Sequence, residues 1–170
     1  MRGIRTAWRP ALGIVIGTGI GLALLNSCDG FPVHDLAAVY RDGSGRIMVE
    51  LGQCGSKVDA RGPTLIVTPD GGDPTYWPTG REPGRTGPFP LFAPPGAWAV
   101  DGKPGGPRAL EPRHGYVLHF TVLEDGHRVL YTSASDFSLA DIESLRPGQL
   151  WANGEAMSRE RFRAHVTSEC

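Results

Sequence analysis

Apolar and polar positions alternate in short runs through most of this chain, the period expected of half-buried strands. Leu36–Arg41 and Arg46–Leu51 are two such runs, separated by the turn-forming tetrad Asp42-Gly43-Ser44-Gly45. Val39 in the first run and Ile47, Val49 and Leu51 in the second fall on one apolar face. Thr64–Val67 predicts a further short strand. The clearest hairpin is Gly115–Leu123 with Arg128–Ser133 around Glu124-Asp125-Gly126-His127, whose Asp-Gly pair suits a tight turn. Its register places Tyr116, Leu118, Phe120, Val122, Val129 and Tyr131 on a core face. Val117, His119, Thr121, Leu123, Arg128, Leu130 and Thr132 fall on a mixed one.

Two short helices close the chain. Ser138 caps Leu139–Leu145, with Asp141 three residues on and Phe137 and Ile142 placed as a hydrophobic staple. Pro147-Gly148 stops it. Ser158 caps Arg159–His165, with Met157 and Phe162 as a second staple. Gln149–Ala152 between them reads as an edge strand. Residues 69–113 carry 20 Gly or Pro among 45, which predicts a long irregular loop interrupted by a strand at Ala97–Val100. The expected fold is mainly β: a small β-sandwich-like or partly open barrel, with one or two short C-terminal helices and a long Gly/Pro-rich loop.

Composition sharpens this. The 170 residues exclude large architectures such as an α/β barrel. Hydrophobic residues at 40% and charged residues at 21% exclude a highly charged disordered polymer. A net charge of −1 leaves no basic footprint for nucleic acid.

The N-terminus has a different texture. Arg2, Arg5 and Arg9 precede the uncharged run Ala11–Leu25, and no acid occurs before Asp29. A basic segment followed by an apolar one of this length is the pattern of an export signal. Fifteen residues, four of them Gly, are short for a membrane span of about 20. The run ends Leu24-Leu25-Asn26-Ser27-Cys28. An aliphatic residue three before a cysteine and a small residue just before it resemble the lipobox of bacterial lipoproteins. The resemblance covers residues 1–28. It implies cleavage before Cys28 and a diacylglycerol on its sulfur, a two-chain anchor strong enough for stable membrane attachment. It also implies a signal peptide at 1–27 and a lipidated N-terminus and tether at 28–35 on the extracytoplasmic face of the cell membrane; the strand pattern itself, not the resemblance, predicts one β-rich domain at 36–170. An ordinary secreted protein and a single-span protein retaining its leader are the alternatives. Beyond the leader, the Arg-, Gly-, Pro- and Ala-rich composition is similar to that of small exported actinobacterial domains of unknown function.

There are three cysteines, Cys28, Cys54 and Cys170. With Cys28 lipidated, Cys54 and Cys170 remain and are expected to form a disulfide in an oxidising compartment. No Cys-x-x-Cys occurs and the histidines lack ligand spacing, so no metal site or cofactor is expected.

No catalytic residue is assigned. Gly43-Ser44-Gly45 sits in a hairpin turn rather than a nucleophile elbow. His119 is read as a packing or surface histidine, Asp70-Gly71-Gly72-Asp73 as a turn rather than calcium ligands, and Arg159, Arg161 and Arg163 as a solvated helix face. Asp136 and His114 are guesses at an acid/base pair. Tyr76 and Trp77 are the candidate ligand-binding residues, because exposed rings offer platforms for a glycan or a surface protein. The expectation is a membrane-anchored lipoprotein with a non-catalytic binding or structural role. The alternative is an envelope hydrolase of cell-wall or sugar substrates.

Overall fold

The long hairpin around residues 125–127 dominates the structure, a computed structural model that describes residues 33–55, 58–77, 83–84, 87–93, 108–124 and 128–170. These residues belong to one unit of the chain, Phe31–Cys170. The leader, Cys28, the Ala97–Val100 segment and the Asp125-Gly126-His127 turn lie outside the described residues.

The strands in chain order are β1 (Val33–His34), β2 (Ala37–Arg41), β3 (Ile47–Leu51), β4 (Val58–Pro69), β5 (Thr75–Trp77), β6 (Pro83–Gly84), β7 (Phe89–Pro90), β8 (His114–Glu124) and β9 (Arg128–Ser138). They are followed by α1 (Leu139–Glu143), β10 (Gln149–Ala152), β11 (Glu155–Ser158) and α2 (Arg159–Glu169). Sheet A runs β1-β9-β8-β4-β5, with β6 also on β4; sheet B runs β11-β10-β2-β3-β7. The fold is therefore mainly β and sandwich-like. It has two sheets and two short helices, with no closed barrel among the described residues.

Alternation explains the packing. Tyr116, Leu118, Phe120 and Val122 of β8 are buried, as are Leu65 and Val67 of β4 and Tyr131 and Phe137 of β9. They meet Ala37, Val39, Val49, Leu51 and Phe89 of sheet B in one continuous core. The expected core face of the hairpin is present up to Val122. A bulge between Val122 and Leu123 then shifts the register. Leu123 becomes fully buried and Val129 only half-buried, the reverse of simple alternation.

Sheet B is covered on its other side by α2. Ala38, Leu150, Ala152, Met157 and Phe162 form this second core, with Val166 packed against it. Phe162 and Val166 are four residues apart and share a helix face. Gly52 lies under this helix: a Cβ there would fall 2.4 Å from Val166 Cγ2. The Cys54–Cys170 disulfide joins the end of α2 to the segment after β3 across 116 residues. It is the pairing expected from the cysteine count.

The capped helices form as their sequences indicate. Ser138 accepts from the Asp141 N–H, and the Asp141 carboxylate accepts from the Ser138 N–H at 2.8 Å. Ser158 accepts from the Arg161 N–H at 3.1 Å. α1 stops at Glu143, earlier than Leu145, while α2 continues to Glu169. Three expectations are corrected. Gln149–Ala152 is not an edge strand, since β10 lies between β11 and β2. The segment 69–113 is not wholly irregular, because β5, β6 and β7 lie within it. The paired structure begins before residue 36, with β1 on β9 in parallel. Among the described residues no helix is long and apolar enough to cross a membrane.

Candidate functional site

Strands β4, β8 and β9 end together at a row of small residues, Thr68, Gly115 and Ser138, paired side by side. The turns beyond this row leave a broad cleft of about 750 Å³. Pro69, Asp70 and Gly71 form one wall, Pro112, Arg113 and His114 a second, and Leu139, Ala140 and Glu143 of α1 a third. The Asp70 N–H donates to the Arg113 carbonyl at 2.9 Å, which locks two walls together. Arg113 holds a positive φ of 60° to make this corner. His114 Nδ1 donates to the Pro112 carbonyl at 3.0 Å, and its other nitrogen lies 3.8 Å from Glu111. The small row also floors a shallower hollow of about 400 Å³ containing Asp136 and Trp151, so the two depressions share an edge. Trp151 Nε1 donates to the Asp136 carbonyl there.

The outward face of sheet A continues from this row. Tyr76, Ile66, Val117 and Asp136 are paired across it, then Thr64, His119 and Ala134, then Arg61, Thr121, Thr132 and Val33. Every one of these side chains is half-buried or exposed. Tyr76 is 55% exposed and Val33 56%, the two exposed large hydrophobic residues among those described. The face is thus rich in threonine and short apolar side chains, with Asp136 and Arg61 as the charged groups among the residues named. His119 sits in the middle of it, and burial pushes its pKa below that of a free imidazole.

The two candidate aromatics separate. Tyr76 lies on the open face. Trp77, its neighbour on β5, points the other way and is 5% exposed. Its ring packs edge-on to Phe92 at 5.7 Å. Alternation along a strand permits only one of two consecutive rings to face solvent, so Trp77 serves the core.

No family model, curated protein or solved structure matches this chain.

The site's chemistry therefore rests on geometry. Ser44 hydrogen-bonds Asp42 within its turn, and that carboxyl is held well below the usual range by the Ser44 hydroxyl and Arg46. Ser138 serves the α1 cap. Asp35, Ser135 and His165 do come together, yet not as a catalytic triad. Ser135 is buried and its hydroxyl donates to the Asp35 carboxylate, whereas His165 Nε2 bonds the Asp35 backbone carbonyl at 3.0 Å. Among the described residues no serine or cysteine side chain hydrogen-bonds an imidazole, and no group of three potential ligands is placed to hold a metal. Asp70 and His114 line one cleft, while Asp136 lies in the adjoining hollow. On α2, Arg159 pairs with Glu50 at 3.1 Å and covers the Tyr40 ring, and Arg161 pairs with Glu155 at 2.7 Å. The cleft and the open sheet face were missed by sequence reasoning, because both arise from pairing between strands distant in the chain.

Proposed function

We propose that the protein is an exported, lipid-anchored binding protein, with diacylglycerol on Cys28 and a non-catalytic role toward a surface protein or glycan. The observation that carries this reading is the Cys54–Cys170 disulfide. It is the kind of bond kept in an oxidising compartment. It uses two of three cysteines, and the remaining one stands in the lipobox-like Leu25-Asn26-Ser27-Cys28.

The direction of β1 supports a display role. β1 runs parallel to β9, with Val33 opposite Thr132 and His34 opposite Ser133. The chain therefore enters the sheet from the Arg128 end, and the cleft lies at the opposite, Ser138 end. Four residues, Asp29 to Pro32, separate Cys28 from Val33, and the five steps between them span at most about 18 Å. A chain that enters the domain at Val33 thus reaches sheet A from the side away from the cleft.

The test is the intact mass of the native protein extracted from membranes, before and after reduction and alkylation. A chain of Cys28–Cys170 plus lipid, with two thiols alkylated only after reduction, is expected. Cys28→Ser should release the protein from the membrane. A chain that retains its leader, or a lipid-free shorter chain, overturns the reading. A hydrolase is the second reading, favoured by Asp70, His114 and Glu143 lining one cleft. Turnover of cell-wall polysaccharide that is lost in both Asp70→Asn and Glu143→Gln would establish it instead.

A further inference from the structure

A separate hollow of about 370 Å³ lies between the β2–β3 turn and the segments flanking residues 94–107. This volume falls within the roughly 300–1,000 Å³ of small-ligand sites. Ile47, Phe92 and Leu110 give it apolar walls, while Arg41, Arg46 and Arg108 line it with positive charge, and among the described residues no aspartate or glutamate lines it. The three arginines are not equivalent. Arg46 is neutralised by Asp42, with Nη2 at 2.9 Å and Nε at 3.0 Å from the same oxygen. Arg41 donates to the Gly45 carbonyl at 3.1 Å, a neutral acceptor that fixes the guanidinium without cancelling its charge. Arg108 makes no ion pair among the described residues. Two guanidiniums without an ion-pair partner among the described residues thus border an apolar hollow. Guanidinium donors match the oxygens of a carboxylate or phosphate, and an apolar wall rewards a hydrocarbon body.

We propose that this hollow binds a monomeric anionic amphiphile, a carboxylate or phosphate monoester with a short alkyl chain. Arg108 and Arg41 hold the head, and Ile47, Phe92 and Leu110 receive the chain. A concave site of this volume takes a single small molecule rather than a bilayer surface. The assignment is independent of the lipid on Cys28 and of any partner at the cleft.

The test is calorimetric titration of the native chain in phosphatidylcholine nanodiscs, with empty discs as the blank. Octyl phosphate and octanoate are expected to bind, and octanol at least tenfold more weakly. Affinity should rise about fourfold per added methylene between hexanoate and octanoate. Arg108→Gln should weaken octyl phosphate about tenfold or more with an unchanged circular dichroism spectrum, because Arg108 is exposed. Leu110→Ser should flatten the chain-length dependence. Equal binding of octanol and octanoate overturns the proposal. So does unchanged binding by both Arg108→Gln and Arg41→Gln, or binding of phosphatidylglycerol vesicles with no binding of the monomers.

Discussion

Opening the Cys54–Cys170 bond should cost this fold a large part of its stability. The bond closes a loop of 116 residues. In the chain-entropy treatment a loop of that length restricts the unfolded chain by about 5 kcal/mol. A domain of this size is stable by only about 5–15 kcal/mol, so the crosslink supplies a third or more of the total. The native contacts around it are local: the Cys54 N–H donates to Tyr131 Oη at 3.1 Å, and Cys170 ends α2. These persist without the sulfur bridge, and the effect should therefore reside in the unfolded state. Guanidinium unfolding of the protein, with and without reductant, measures it. With a slope of about 4 kcal/mol per molar, the midpoint should fall by about 1.2 M, and Cys54→Ala/Cys170→Ala should reproduce the reduced wild type. A shift below about 0.3 M would refute the entropic reasoning and mean that packing of α2 alone fixes the two ends.

Three further outcomes are expected. Phe162→Ala removes the main side chain between α2 and sheet B and should cost about 3–5 kcal/mol, read as a fall in thermal midpoint; no fall would mean that α2 does not close the second core. Gly52→Ala should destabilise by about 1–3 kcal/mol, because the new methyl meets stiff, β-branched Val166, and Val166→Ala should recover part of the loss in a double-mutant cycle. Burial raises the Asp35 carboxyl above its ordinary pKa, against the Ser135 hydrogen bond and His165, which lower it. The folded state thus favours the protonated acid, so this contribution is fully present below about pH 3.8 and is lost as pH rises through the folded value. The stability difference between wild type and Asp35→Asn should move against the wild type over that window, and a flat difference would refute the assignment.

What the sequence makes legible here is local. The Asp42–Gly45 turn, the alternation of β8 and both serine caps are each written within a few residues, and each forms. β10 and β11 are joined by Asn153-Gly154, whose φ values of 51° and 70° belong to a type I′ turn. That dipeptide is a strong hairpin signal. It was obscured because β11 is short and runs straight into the Ser158 cap. β4 extends from Val58 to Pro69, well beyond Thr64–Val67, since Gly62-Pro63 interrupts its alternation where a bulge absorbs them. β5, β6 and β7 are two or three residues each and are recruited by pairing, not by propensity. The site is the least legible part. The cleft exists because Thr68, Gly115 and Ser138 end level with one another, and nothing near any one of them encodes that register.

The two ends of the sandwich divide stability from access. At the entry end the chain is tied repeatedly. His34 Nδ1 meets Glu169 at 2.9 Å and its ring stands edge-on to Tyr131, while Asp35 is held by Ser135 and His165. The Leu36 N–H donates to Ser133 Oγ at 3.0 Å, and the disulfide lies beside them through Tyr131. These contacts join β1, β9, the end of α2 and the segment after β3. Such cross-links suit a domain loaded through its N-terminus: a pull on residue 33 is shared at once between both sheets and α2, whereas two residues of β1 alone would peel from β9. Among the described residues, no side-chain hydrogen bond or ion pair of this kind joins the turns of the far end to α1. The turns at 69–72 and 112–113 are fixed by backbone hydrogen bonds, Asp70–Arg113 and Gly72–Pro69, and the β2–β3 turn by the Asp42 carboxylate within it. The far end can therefore present open depressions without endangering the core, and both the cleft and the arginine-lined hollow lie there.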